Sequence, residues 1–106
     1  MWHRHRAALE RGIQPVVPAG VLGQVWRGGP QARLARLLAG CEVEVLDEPL
    51  TRAAGVACAR SGTADVIDAT VVLGAIRRGG AIVTSDPKDL QRIAAAMHAT
   101  VPLIAP

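Results

Sequence analysis

Four of the chain's five aspartates fall in one stretch, TADVIDATVVLGAIRRGGAIVTSDPKDL, residues 63–90. Asp65, Asp68, Asp86 and Asp89 bracket the apolar runs VVLGAI and AIVT, which read as buried core. Carboxylates in such places have two uses. Singly, each reads as a helix-start residue: Asp65 and Asp68 as a capping arrangement, Asp86 as an N-cap ahead of a first-turn Pro87, and Asp89 at the positive end of the same helix. Jointly, they can hold a cation, because carboxylates brought together repel and each then needs a raised pKa or a counter-charge. Hard cations such as Mg²⁺ or Mn²⁺ take oxygen ligands and retain waters. The chemistry such a site serves is hydrolysis of a phosphodiester, in which the metal generates hydroxide and stabilises the leaving oxygen. On sequence alone both uses stay open.

The elements around these acids decide whether they meet. Residues 2–11 read as a short Arg-studded helix closed by Gly12, and IQPVVP (13–18) as a short strand. Pro18 then suits the first turn of a helix through PAGVLGQVWR. PQARLARLLAG (30–40) sets Leu34, Leu37 and Leu38 on one side and Arg33 and Arg36 on another, with Gly40 as the stop. CEVEVLD (41–47) alternates polar and apolar residues as a half-buried strand does. Residues 49–62 read as an Ala-rich helix with Pro49 near its start. ADVIDATVVLGAIRRGG is the strongest helix and ends in Arg77, Arg78 and Gly79, as a helix C-terminus prefers. AIVTSD (81–86) reads as a buried strand, 87–99 as a helix and VPLIAP (101–106) as a last strand. Strands separated by helices of this length need crossovers and hence a parallel sheet, which predicts a three-layer α/β/α domain over residues 1–106. In such a domain the turn carrying Asp65 and Asp68 lies at the sheet edge where the strand ending in Asp86 stops, the edge at which open α/β sheets bind ligands. Asp65 and Asp68, three apart, share a helix face.

The length of 106 residues suits one small domain. The net charge is +3, and eleven of the twelve basic residues are arginines, whose guanidinium forks pair with phosphates and carboxylates. The same excess is also what an Arg-rich chain with solvated helix faces would show. Cys41 and Cys58 have neither CxxC spacing nor neighbouring His ligands, so they read as inert thiols. His3 and His5 read as solvated, and His98 as a surface residue late in a helix. Ser61, Thr63 and Ser85 lack a histidine placed to activate them. Gly28-Gly29 and Gly79-Gly80 read as turns. The first residues, MWHRHRAALERG, contain no apolar run, and no stretch reaches the roughly 20 apolar residues of a membrane span. The expectation is a soluble, cytoplasmic protein.

DATVVLGAIRRGGAIVTSDPKDL, preceded by VVPAGVLGQVWRGG, resembles the PIN-domain family, in particular the VapC-type toxins of bacterial toxin–antitoxin pairs. The likeness runs over nearly the whole chain. It is carried most by the Asp-Ala that opens a long apolar helix and by the strand ending in Thr-Ser-Asp. The resemblance implies a Mg²⁺-dependent (or Mn²⁺-dependent) endoribonuclease with an acidic cluster at the C-terminal edge of a parallel sheet. Asp68 and Asp86 match the catalytic, metal-holding aspartates, and Asp65 is an auxiliary one turn away. RNA as substrate, a small antitoxin-like protein and a homodimer are also implied.

The chain departs from the family pattern at two places. Where the family has a glutamate on the helix after the second strand, Gln24 stands here, an amide that accepts hydrogen bonds but brings no charge to a metal. The family also opens with a central strand ending in an aspartate, and the chain begins at what resembles the following helix. The expectation is therefore a PIN-like domain lacking its first central strand, as an N-terminally truncated member would. Three functional readings follow: a metal-dependent ribonuclease, a catalytically silent scaffold that binds RNA or an antitoxin-like partner, and a truncated reading frame without an independent role.

Overall fold

Helix boundaries in this protein are written by Asp, Pro and Gly. The computed structural model describes residues 15–105. In chain order it contains β1 (Val16–Pro18), α1 (Ala19–Val25), α2 (Ala32–Ala39), β2 (Glu42–Glu44), α3 (Glu48–Ser61), α4 (Val66–Arg78), β3 (Ile82–Val83), α5 (Lys88–Ala96) and β4 (Leu103–Ile104). The helix expected over 2–11, its Gly12 stop, His3 and His5 lie outside the described residues. The Asp47 side chain caps α3 by accepting from the Leu50 amide at 3.0 Å, and Pro49 occupies the first turn. Both α3 and α4 end on a glycine in the left-handed region, Gly62 at φ 69° and Gly79 at φ 66°. A side chain there would be strained, which is why glycine stops these helices.

The predicted mixture of helices and parallel strands is present. β1 pairs in parallel with β2, with Val17 opposite Val43, and β3 pairs in parallel with β4, with Ile82 opposite Leu103. The strands are two or three residues long, and among the described residues they form two separate two-stranded sheets, not one. Helix α4 packs against both, touching β1 of one pair and β3 of the other.

With strands so short, the core sits largely between helices. Ala54, Ala57 and Cys58 of α3 meet Ala69, Val72 and Ala75 of α4 and Leu90, Ile93 and Ala94 of α5, with Ile82 of β3 added. Alanines at the crossings let the helices approach closely, while Val72 and Ile93, both at 0 % exposure, supply the larger apolar areas. Each such side chain stabilises the fold by about 1.5–3 kcal/mol. Gly55, by contrast, is an exposed helical position of α3 with nothing within 4 Å of where a Cβ would stand. Gly55→Ala is expected to raise stability by about 0.8–1 kcal/mol, measured by urea denaturation, since only the backbone entropy of the helix changes. No gain would mean that α3 is not a regular helix at this point.

The strand over 41–47 is shorter than its alternation suggests and faces the other way. Asp47 leaves it to cap α3. The valines expected inside are outside, Val43 at 39 % and Val45 at 70 % exposure, and Glu44 is buried at 7 %. The reason is electrostatic. Glu44 Oε2 accepts from both Arg77 and Arg78, the latter at 2.8 Å, so the strand turns its acid toward the two cations that end α4.

Candidate functional site

The first turn of α4 is where the acids gather. Asp65 is the N-cap of α4: its Oδ1 accepts from the Asp68 amide at 3.0 Å, so the capping use read from the sequence is realised here. Asp68 follows in the first turn, half-buried. Gly20 of α1 lies against Ile67, where a Cβ would stand 3.0 Å from Ile67 Cγ1, so α1 comes close to this turn because it lacks a side chain at that point. Gln24 is one turn further along α1, four residues from Gly20, and is exposed.

Asp86 differs from the N-cap expectation. α5 starts at Lys88 with Pro87 in the cap position, and no side chain supplies a capping bond. Instead the Asp86 amide donates to Thr84 Oγ1 at 3.1 Å, a bond within the turn that leaves the exposed Asp86 carboxylate uncommitted to the helix. Pro87 has helical φ and ψ of −81° and −10°, so the helix does not need an Asp-type cap to begin. Asp89 is in the first turn of α5, as expected, 3.9 Å from Arg92.

Although these residues come from two separate segments, their charges bear on Asp68. Burial pushes the Asp68 carboxyl above its ordinary range, and the charges of Asp65, Asp89 and Asp86 push it further in the same direction. The other three aspartates of the 63–90 stretch thus bear on one half-buried carboxylate. They do not close around a point: among the described residues no three His, Cys, Asp or Glu side chains form a ready cage for one ion. The donor set is all carboxylate and mostly exposed. That fits a hard dication that keeps most of its water and takes one or two carboxylates, as Mg²⁺ does, and it does not fit a closed structural site. A shallow hollow of about 450 Å³ beside Pro30, Gln31 and Arg33 is lined by none of the aspartates and offers no comparable chemistry.

The remaining candidates behave as side residues. Cys58 is buried, and burial pushes the half-buried Cys41 thiol up, with its S–H directed at the Leu37 carbonyl at 3.5 Å. Both fit the inert-thiol reading. Ser61 Oγ is 2.8 Å from the Ala57 carbonyl and 2.9 Å from Thr63 Oγ1, a local turn without a base. Two residues that sequence reasoning did not single out carry structure near α4, Glu44 and Arg92. The signal for Glu44 was present in the Arg77-Arg78 pair, which needed a carboxylate from elsewhere in the fold. Arg92 had no signal in the sequence, because its contact to Ser61 spans 31 positions. No helix among the described residues is long and apolar enough to cross a membrane.

Comparison of the chain with models of protein families, with curated proteins and with solved structures found no match.

Proposed function

We propose that this chain is a PIN-domain-like protein of the VapC toxin type, a Mg²⁺-dependent endoribonuclease in which Asp68 and Asp86 hold the metal and Asp65 assists. The observation that carries this reading is that α4 and α5 pack together while the charges of Asp65, Asp89 and Asp86 add to burial in raising the half-buried Asp68 carboxyl. A half-buried carboxyl loaded with further negative charge calls for a counter-charge. A cation among the aspartates removes the repulsion. The two parallel strand pairs, both in contact with α4, also suit a layered α/β arrangement.

A divalent ion at this end supplies an activated water and stabilises the leaving oxygen of a phosphodiester. The chain's own residues do the rest. Asp68, half-buried, is the fixed ligand. Asp86 on its turn is the adjustable one, and Asp65 spends one oxygen on the cap while keeping the other. Exposed Arg27, Arg33 and Arg36 are available to a polyanion such as RNA. A homodimer and a small antitoxin-like partner belong to the same reading.

One observation favours a second reading, a catalytically silent scaffold that binds RNA or an antitoxin-like partner. Gln24 is an exposed amide, one turn from the Gly20–Ile67 contact, at the place where the resemblance puts a glutamate. The test of both is RNA cleavage by the full chain and by Gln24→Glu, with Mg²⁺ or Mn²⁺ and with a chelator. Cleavage that chelation stops supports the nuclease. Cleavage that appears only in Gln24→Glu supports a scaffold silenced by one lost acid. Cleavage indifferent to chelation overturns the metal reading.

A further inference from the structure

Beyond the core packing that holds α3, α4 and α5 together, one side chain of α5 bonds to the end of α3, just ahead of the turn that leads to Asp65. Among the described residues no hydrogen bond joins residues 62–68 directly to residues 84–90. The link is Arg92 of α5. Its Nη2 donates to the carbonyl of Ser61 at 3.1 Å, at the end of α3, and its Nη1 stands 3.9 Å from Asp89 Oδ1, one turn back on its own helix. Ser61 opens the Gly62 turn that delivers the chain to Asp65. That turn is already stiffened by Ser61 Oγ bonding to Ala57 and Thr63. Gly62 lies beneath the guanidinium: a Cβ there would be 3.4 Å from Nη2. The planar fork offers the carbonyl and the carboxylate separate nitrogens held at a fixed spacing, which the single nitrogen of an ammonium does not.

We infer that Arg92 is a positioning residue for the divalent-cation site, setting the distance between the Asp65–Asp68 turn and the Asp86–Asp89 turn. This rests on the metal reading above. Two effects of losing Arg92 oppose one another in sign. Taking a cation away from a carboxylate cluster strengthens its attraction for a dication. Freeing the α5 start from the α3–α4 turn weakens binding, because the ligands must then be ordered by the ion itself. A positioning role requires the second effect to win.

The experiment is Mn²⁺ titration calorimetry on the full chain, comparing wild type, Arg92→Ala and Arg92→Lys well below their metal-free melting temperatures. The expected result is a fall in Mn²⁺ affinity of about tenfold in Arg92→Ala, the low end of losses seen when outer-shell partners of a metal site are removed. A smaller fall is expected in Arg92→Lys, which keeps the charge and one contact. Affinity unchanged or increased in Arg92→Ala overturns the positioning role and leaves the metal site standing. No Mn²⁺ binding by the wild type overturns the metal reading itself, and the role of Arg92 with it. Because Arg92 is exposed, Arg92→Lys is expected to fold even where Arg92→Ala loses stability.

Discussion

Asp68→Asn is expected to abolish metal-dependent RNA cleavage, by about 100-fold or more, and at the same time to raise the melting temperature of the metal-free protein. The first effect follows from losing a charged ligand, since even outer-shell partners are worth about 10–100-fold in metal affinity or activity. The second follows from the raised pKa of Asp68, caused by burial and then by Asp65, Asp89 and Asp86. A carboxyl whose pKa is higher folded than unfolded binds its proton more tightly in the folded state. Its contribution to stability is complete below the ordinary aspartate value and is lost as pH rises through the raised value. At neutral pH ionised Asp68 therefore opposes folding, and an amide of the same size relieves it. The Asp65 cap survives the change, because it is the backbone amide of residue 68 that donates to it. Thermal melts with a chelator, at pH 7 and near pH 3, should show a gain at pH 7 that vanishes at the acid end. Asp86→Asn provides the contrast: the same loss of cleavage, with stability within about 0.5 kcal/mol of wild type, as an exposed turn residue implies. If both variants cleave RNA as the wild type does, the aspartates are helix-start residues and nothing more.

This pairing of lost activity with gained stability also separates what the sequence could say from what it could not. The Asp65 cap, the Arg77-Arg78-Gly79 stop and the parallel sense of the strands are local or connective properties, and spacing exposes them. The placing of Asp86 and Asp68 at one sheet edge was an argument from connectivity, and what the structure adds to it is the charge of Asp86 among the causes that raise Asp68. The cap role of Asp86 failed because a dipeptide rule could not foresee that Pro87 would take the cap position and Thr84 the Asp86 amide. The facing of β2 failed for a related reason. Alternation fixes which residues share a face, but not which face is turned inward. For Glu44 that was decided by two arginines 33 and 34 positions away. Strand length was the least legible property: among the described residues each ladder takes in only two or three residues of a strand-like stretch, and Asp47, at the end of one of them, caps α3 instead.

The buried end of α4 gives the largest expected change in stability. Gly74→Ala is expected to destabilise the protein although it replaces glycine by the best helix former in the interior of a helix. A Cβ at Gly74 would stand 2.7 Å from Glu44 Oε1 and 2.9 and 3.0 Å from the two terminal nitrogens of Arg78. Arg78 can swing its head away, but Glu44 cannot. Its side chain is 6 % exposed, and its Oε2 is held by both arginines. Its Oε1 is buried with no hydrogen-bond partner, pressed over the one residue of α4 that offers no side chain. Moving this carboxylate disturbs its half-buried ion pairs, and overpacking of this kind costs about 1–3 kcal/mol. The helical gain of alanine over glycine offsets about 1 kcal/mol of it. A net loss should lower the melting temperature by about 4–8 °C for each kcal/mol. The decisive comparison is the same substitution in a Glu44→Ala background. With the carboxylate gone only the Arg78 head is left in the way, and without its partner it can swing clear, so Gly74→Ala should turn neutral or stabilising, a reversal of sign that reports coupling between the two positions. Equal losses in both backgrounds would mean that Gly74 is required for some other reason and that Glu44 does not lie over it. A reversal would establish that β2 is joined to α4 through this buried acid, the contact that fixes one strand pair against the helix whose other end carries Asp65 and Asp68.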